Sequence, residues 1–162
     1  MERTAAGKAG EVAPRVVTTN RRARHDYHIL ATLEAGIVLS GTEVKSLRAG
    51  AAQLRDSYAT VEGGEVLLHN AHISPYEPGT RYNHDPDRTR RLLLHKSQIL
   101  RLAGRVQQQG LTLVPLRIYF SRGKAKVELA LARGKKQYDR RESIARRDAN
   151  RDMERALSER RR

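Results

Sequence analysis

The chain has 162 residues, which suits one compact domain with tails, and its 32 Lys+Arg against 18 Asp+Glu give a formal charge of +14. An excess that large implies a polyanionic partner, because every phosphate neutralised by a basic side chain releases a counterion. The absence of cysteine excludes disulfides, cysteine zinc sites and thiol catalysis; no stretch of apolar residues is long enough to span a bilayer, and residues 1–19 lack the apolar run of a secretory signal.

Residues 1–19, rich in Ala, Gly and charge without periodicity, read as a disordered arm. Residues 20–133 hold nearly all the large aliphatics and form the expected folded domain. It opens on a basic cluster, Asn20-Arg21-Arg22-Ala23-Arg24-His25, followed by Tyr27. Arginine forks grip phosphates and an aromatic ring can stack on a base, so Asn20, Arg22, Arg24, His25 and Tyr27 are candidate RNA contacts. Tyr27, Ile29, Ala31 and Leu33 alternate with His28, Leu30, Thr32 and Glu34, a period of two that predicts a long strand bent near Ala35-Gly36.

A short helix is expected from an N-cap at Thr42, with Val44 and Leu47 on one face and a stop at Gly50; it brings Lys45 and Arg48 into the set of candidate contacts. Ser57–Val61 and Glu65–His69 flank Glu62-Gly63-Gly64 and predict a hairpin. Arg88-Thr89-Arg90-Arg91 runs into Leu92-Leu93-Leu94, which puts a basic edge (Arg88, Arg90, Arg91) beside an apolar run able to make a contact. Ile99, Leu102, Ala103 and Val106 stand at helical spacing before Gly110. A second hairpin alternates Val114, Leu116, Ile118 and Phe120, turns at Ser121-Arg122-Gly123, and returns through Ala125, Val127, Leu129 and Leu131, with Lys124 and Lys126 on a cationic outer face.

These elements predict a mostly β protein: an OB-like closed antiparallel barrel of about six strands, with two or three short helices and a basic C-terminal tail. Barrels of this type carry nucleic acid on a strand face and its loops. Residues 134–162 form the tail, with few large apolar side chains and twelve Lys/Arg against six Asp/Glu from Arg133 onward. Arg147, Arg151 and Arg155 recur at a spacing of four, and Ala145, Ala149, Met153 and Leu157 form a thin apolar stripe. Such a segment gains a helix only against a negatively charged groove, because nucleation is too costly alone.

No enzymatic centre stands out. Gly134-Lys135 lacks the earlier glycine and the Ser/Thr of a phosphate loop. His69 and His72, three apart on a strand, point to opposite faces, and His84-Asp85-Pro86 reads as a turn. The acids are scattered, so neither a catalytic cleft, a metal site nor a cofactor is expected. Composition leaves open a generic structural RNA-binding or ribosomal protein.

The ordered motifs narrow this. Asn20 to Tyr27, Glu34-Ala35-Gly36-Ile37-Val38-Leu39, Gly41 to Gly50, Asn70 to Tyr76, Asn83 to Pro86, Arg88 to His95, Val127 to Lys136 and Tyr138 to Glu142 together resemble the family of bacterial SsrA-binding proteins, SmpB, over residues 20 to about 148. The resemblance implies an OB-like barrel that binds transfer-messenger RNA at its tRNA-like domain, with elongation factor Tu engaged indirectly through the RNA. It implies a cytoplasmic, monomeric, non-enzymatic partner of stalled ribosomes in trans-translation, standing in for an anticodon arm at the small-subunit decoding centre. Carried over by position, Asn20, His25, Tyr27, Glu34 and Leu93 match the RNA-facing surface. Gly134, Lys135 and Lys136 match a hinge needed at the ribosome, and Tyr138, Asp139, Arg140 and Arg141 open a tail that becomes helical in the empty mRNA channel. Arg140 stands where many relatives carry Lys.

Overall fold

The computed structural model describes residues 13–79, 83–135 and 137–160. Strand β1 (Arg15–Thr19) and the single-turn helix α1 (Ala23–Asp26) lead into the long strand β2 (Tyr27–Ile37). Helix α2 (Gly41–Arg48), β3 (Ala52–Gln53), β4 (Tyr58–Glu62), β5 (Glu65–His69), β6 (His72–Ile73) and β7 (Arg90–Leu93) follow. Helix α3 (Lys96–Gln109), β8 (Thr112–Ser121), β9 (Lys124–Gly134) and the terminal helix α4 (Gln137–Arg160) complete the order.

Six strands close into an antiparallel ring, β8-β4-β5-β7-β2-β9, with β9 pairing back onto β8. This is the expected mostly β barrel. Its interior is aliphatic: Leu47, Leu54, Val66, Leu68, Ile73, Leu92, Leu113, Ile118, Val127, Leu129 and Leu131 are all buried in one cluster. Closure leaves the ring no free edge, which removes the usual hazard of unpaired strands.

The long strand changes partner where the sequence predicts a bend. Gly36 pairs with Lys126 of β9 and with Leu93 of β7. A Cβ on residue 36 would stand 3.2 Å from the Leu93 Cβ, so the missing side chain is what lets the two strands approach there. Both predicted hairpins form. Gly63 and Gly64 take φ +56° and +78°, and Arg122 and Gly123 take +52° and +75°, as two-residue hairpin turns require.

Four features depart from the sequence expectations. The fold takes in residues ahead of residue 20, because β1 pairs with β8, Arg15 opposite Phe120, and Val17 packs on the core; residues 1–12 of the expected arm lie outside the described residues. Helix α2 is capped by Ser40 and not Thr42: its hydroxyl accepts from the Glu43 N–H while the Glu43 carboxylate accepts from the Ser40 N–H. A bulge between Pro115 and Arg117 changes the phase of β8. Val114 and Leu116 therefore leave the barrel interior and form a second small core with Ala23, Ala130 and Ala132. Finally, α4 is helical from Gln137 to Arg160 with Ile144, Met153 and Leu157 all exposed, where a helix was expected only on binding.

Candidate nucleic-acid interface

The strand β7 alternates buried and exposed positions, so Leu92 enters the core while Arg91 and Leu93 face outward. Leu93 is 51% exposed although it lies among aliphatic neighbours in sequence. It stands beside an open groove of about 380 Å³ lined by Glu34, Gly36, Leu94, His95, Gln98 and Lys126. A more apolar groove of about 310 Å³ continues past Gly36 and Leu93 to Leu39, Val44, Phe120 and Lys124. An apolar platform rimmed by lysines is suited to an unstacked base with its phosphates close by.

Glu34 accepts hydrogen bonds from Lys126 Nζ at 2.5 Å and from the Tyr119 hydroxyl. The Lys126 bond, then the Tyr119 bond, hold its carboxyl below the usual glutamate value. Burial, followed by the bond to Glu34, raises the Tyr119 phenol. Lys124 is exposed at the start of β9, next to the turn.

A second basic patch surrounds the start of β2. The Asn20 N–H donates to Leu116 O at 2.7 Å and its side-chain amide to Pro115 O at 3.0 Å, so Asn20 is fixed on the bulged segment of β8. It borders one groove of about 350 Å³ with Arg21, Arg22, Gln53 and Arg55, and another of about 250 Å³ with Tyr27, Asp56 and Tyr58. Arg22 and Arg24 are exposed, His25 Nδ1 lies 2.9 Å from Asp26 Oδ1, and Tyr27 packs on the small second core. Tyr27 and Glu34 are seven residues apart on one strand, which separates the two patches by roughly 20 Å.

The arginine cluster of residues 88–91 divides. Arg90 is a correction to the sequence expectation: it is 0% exposed and cannot reach RNA. Its guanidinium pairs with the equally buried Glu43 and donates to Ala71 O at 2.5 Å and Pro86 O at 3.1 Å. Arg88 donates from Nε to the same carboxylate at 2.9 Å and is about one-third exposed. Arg91 is open to solvent and 3.1 Å from Glu65. Lys45 lies 5.5 Å from the Tyr76 ring centroid, and exposed Arg48 lends its carbonyl to Arg15 at 2.9 Å.

At the tail junction, Gly134 ends β9 opposite Tyr27. The Lys135 N–H donates to Asp26 O at 2.9 Å and its Nζ to Arg24 O at 3.2 Å, which ties the exit of the barrel to α1. Lys136 lies outside the described residues, as do the side chains of Tyr138, Asp139 and Arg140. Arg141, Arg147, Arg151 and Arg155 are exposed on α4.

Sequence reasoning missed Tyr119, Glu43 and His84. Tyr119 reads as an ordinary strand residue. Glu43 is one of the scattered acids, with no local signal of burial. His84 bridges Thr42 Oγ1 at 3.1 Å and Ile73 O at 2.8 Å, which pins the loop that carries Arg88. Among the described residues no three His, Cys, Asp or Glu side chains converge on a metal position, and no helix is long and apolar enough to cross a membrane.

The family model described as SmpB protein matches residues 17–159. The SsrA-binding protein of Pelotomaculum thermopropionicum is 65% identical over 149 residues, 92% of this chain and 97% of that one. The SsrA-binding protein of Desulforamulus reducens is 62% identical over 157 residues, 96% and 98% of the two chains. Among solved structures, a chain from "tmRNA-SmpB: a journey to the center of the bacterial ribosome" is 57% identical, with a TM-score of 0.64, covering 78% of this chain and 93% of its own.

Proposed function

The chain belongs to the SmpB family, and we propose that it binds transfer-messenger RNA, the SsrA RNA, at its tRNA-like domain and delivers it to stalled ribosomes for trans-translation. One observation supports the reading beyond likeness: exposed Leu93 and Glu34 share an open groove with partly buried Lys126 on a barrel of a +14 chain, a placement that core packing does not explain. The groove supplies an apolar surface for a splayed base and an acceptor for a donor group. Lys124 and Arg91 hold phosphates near it, and Arg22 and Arg24 hold phosphates at the second patch. Two patches roughly 20 Å apart suit a folded RNA better than a short single strand. The protein acts by positioning, in the cytoplasm where ribosomes work.

The tail has a separate task. Its exposed arginines and thin apolar stripe fit an anionic cavity, and the empty mRNA channel of the small subunit is the cavity we assign to it. Lys135, tied to α1, sets the direction in which the tail leaves the barrel.

Competition binding tests the reading. The tRNA-like domain of SsrA RNA should displace bulk tRNA from the chain, and its advantage should persist as salt rises. A generic basic protein would lose both RNAs together, and that outcome would replace the reading with a non-specific RNA-binding module.

A further inference from the structure

Tyr119 is the one buried tyrosine among the described residues, 4% exposed, yet its hydroxyl does not serve the core. It reaches from β8 to Glu34 on β2, a strand with which β8 does not pair. The intervening strand β9 sets Glu128 directly opposite Glu34. Like charges facing each other across a ladder are destabilising unless each is compensated. Glu128 is compensated by Arg117 at 2.5 Å, and the Arg117 guanidinium lies 4.8 Å from the centroid of the Tyr119 ring. Glu34 is compensated by Lys126 and Tyr119, one on each carboxylate oxygen. Four polar side chains from two neighbouring strands thus surround one half-exposed carboxylate at the edge of the groove.

We propose that Tyr119 is a positioning residue for RNA: its hydroxyl holds the Glu34 carboxylate as a fixed acceptor for a hydrogen-bond donor of the bound RNA, a 2′-hydroxyl or an exocyclic amine. The inference rests on Glu34 being an RNA contact. Each carboxylate oxygen can accept two bonds, so both remain able to take a donor after Tyr119 and Lys126 are satisfied. An unrestrained glutamate would lose rotamer freedom on binding, and the network removes that freedom beforehand. Lys126 alone could not do this. A phosphate arriving in the groove competes for its ammonium, whereas a neutral phenol is not drawn away. The charged and titratable groups that face Glu34 are Lys126 and Glu128 from β9, Arg117 and Tyr119 from β8, and His95 from the start of α3. The bonds from Lys126 and Tyr119 also keep the carboxyl ionised to lower pH.

The test uses the full chain, the tRNA-like domain of SsrA RNA as probe, and fluorescence anisotropy between about pH 3 and 8. Tyr119→Phe should lower affinity at pH 7 by about threefold to tenfold, the worth of one hydrogen bond to a charged acceptor, and should move the acid midpoint of binding upward. Glu34→Gln should weaken binding and flatten the acid limb. The double variant should bind no more weakly than Glu34→Gln alone, since Tyr119 acts only through that carboxylate. Wild-type affinity with an unmoved midpoint in Tyr119→Phe overturns the inference, as do losses that multiply in the double variant. Wild-type binding by Glu34→Gln overturns the reading of Glu34 itself, and the inference with it. Should Tyr119→Phe fail to fold, meta-fluorotyrosine at position 119, nearly isosteric and a stronger donor, must shift the acid midpoint downward, and an unmoved midpoint overturns the inference.

Discussion

Glu43 and Arg90 meet as an ion pair with neither side chain exposed, 47 positions apart in the chain. The carboxylate also caps α2 through the Ser40 N–H and receives Arg88. One helix, strand β7 and the segment around Pro86 are joined by this cluster. Removing one partner leaves a buried charge uncompensated. Glu43→Ala should therefore destabilise the protein by about 3–5 kcal/mol in urea unfolding. An RNA-surface role for Arg90 would instead predict near-normal stability and lost RNA affinity for Arg90→Met.

The same cluster sets an acid limit. Burial pushes the Glu43 carboxyl up, but bonds from Arg88, the Ser40 N–H and Arg90 outweigh it and lower the pKa from 4.5 to about 2. A depressed folded-state value means that the contribution is complete above the unfolded value of 4.5 and is lost as pH falls toward about 2. Unfolding free energy, followed by denaturant titration between those limits, should fall with pH, and the Glu43→Gln variant should lose part of that slope.

Leu93→Ala should leave stability within about 0.5 kcal/mol of wild type, as for other surface positions. RNA affinity should drop by about fivefold to tenfold, the worth of covering half a leucine. Differential scanning calorimetry and filter binding on one preparation separate the two effects. Equal affinity would remove Leu93 from the interface.

Gly36→Ala approaches the same groove from below. The new Cβ would meet the Leu93 Cβ at 3.2 Å, so β7 or the leucine must shift. Overpacking of this kind costs about 1–3 kcal/mol, and RNA affinity should fall with it. Pairing the substitution with Leu93→Ala, whose remaining Cβ is the atom in conflict, should not restore binding.

Much of this was legible in the sequence, and the rest was hidden for identifiable reasons. The hairpin at Gly63-Gly64 and the bend at Gly36 are local, written in turn residues and a period of two. The bulge at Leu116 is not local: it exists because the N-terminal half of β8 must cover two cores, so Val114 faces α1 while Leu113 faces the barrel. Arg90 looked like its neighbours Arg88 and Arg91, because composition cannot tell which member of a basic run turns inward. Alternation from Leu92 does carry that signal, and it places Arg90 inside. Its partner Glu43 lies too far along the chain to be found by spacing. Leu93 was readable as a contact only through motif resemblance, since an exposed leucine next to two others reads as core.

Phosphate contacts can be counted without a structure of the complex. Lys124→Ala and Arg24→Ala should each reduce the slope of log affinity against log salt by about 0.7–0.9, with little change in which RNA is preferred. Arg90→Met should leave that slope unchanged in the folded fraction.

Labour is divided between barrel and tail, and a truncation after Gln137 measures that division directly. RNA affinity of the shortened chain, determined by anisotropy with the tRNA-like domain, and peptide tagging on stalled ribosomes are read side by side with the full chain and with Lys135→Ala. Near-wild-type affinity together with abolished tagging is the predicted result. Loss of RNA binding on truncation, or tagging that survives it, would contradict the account.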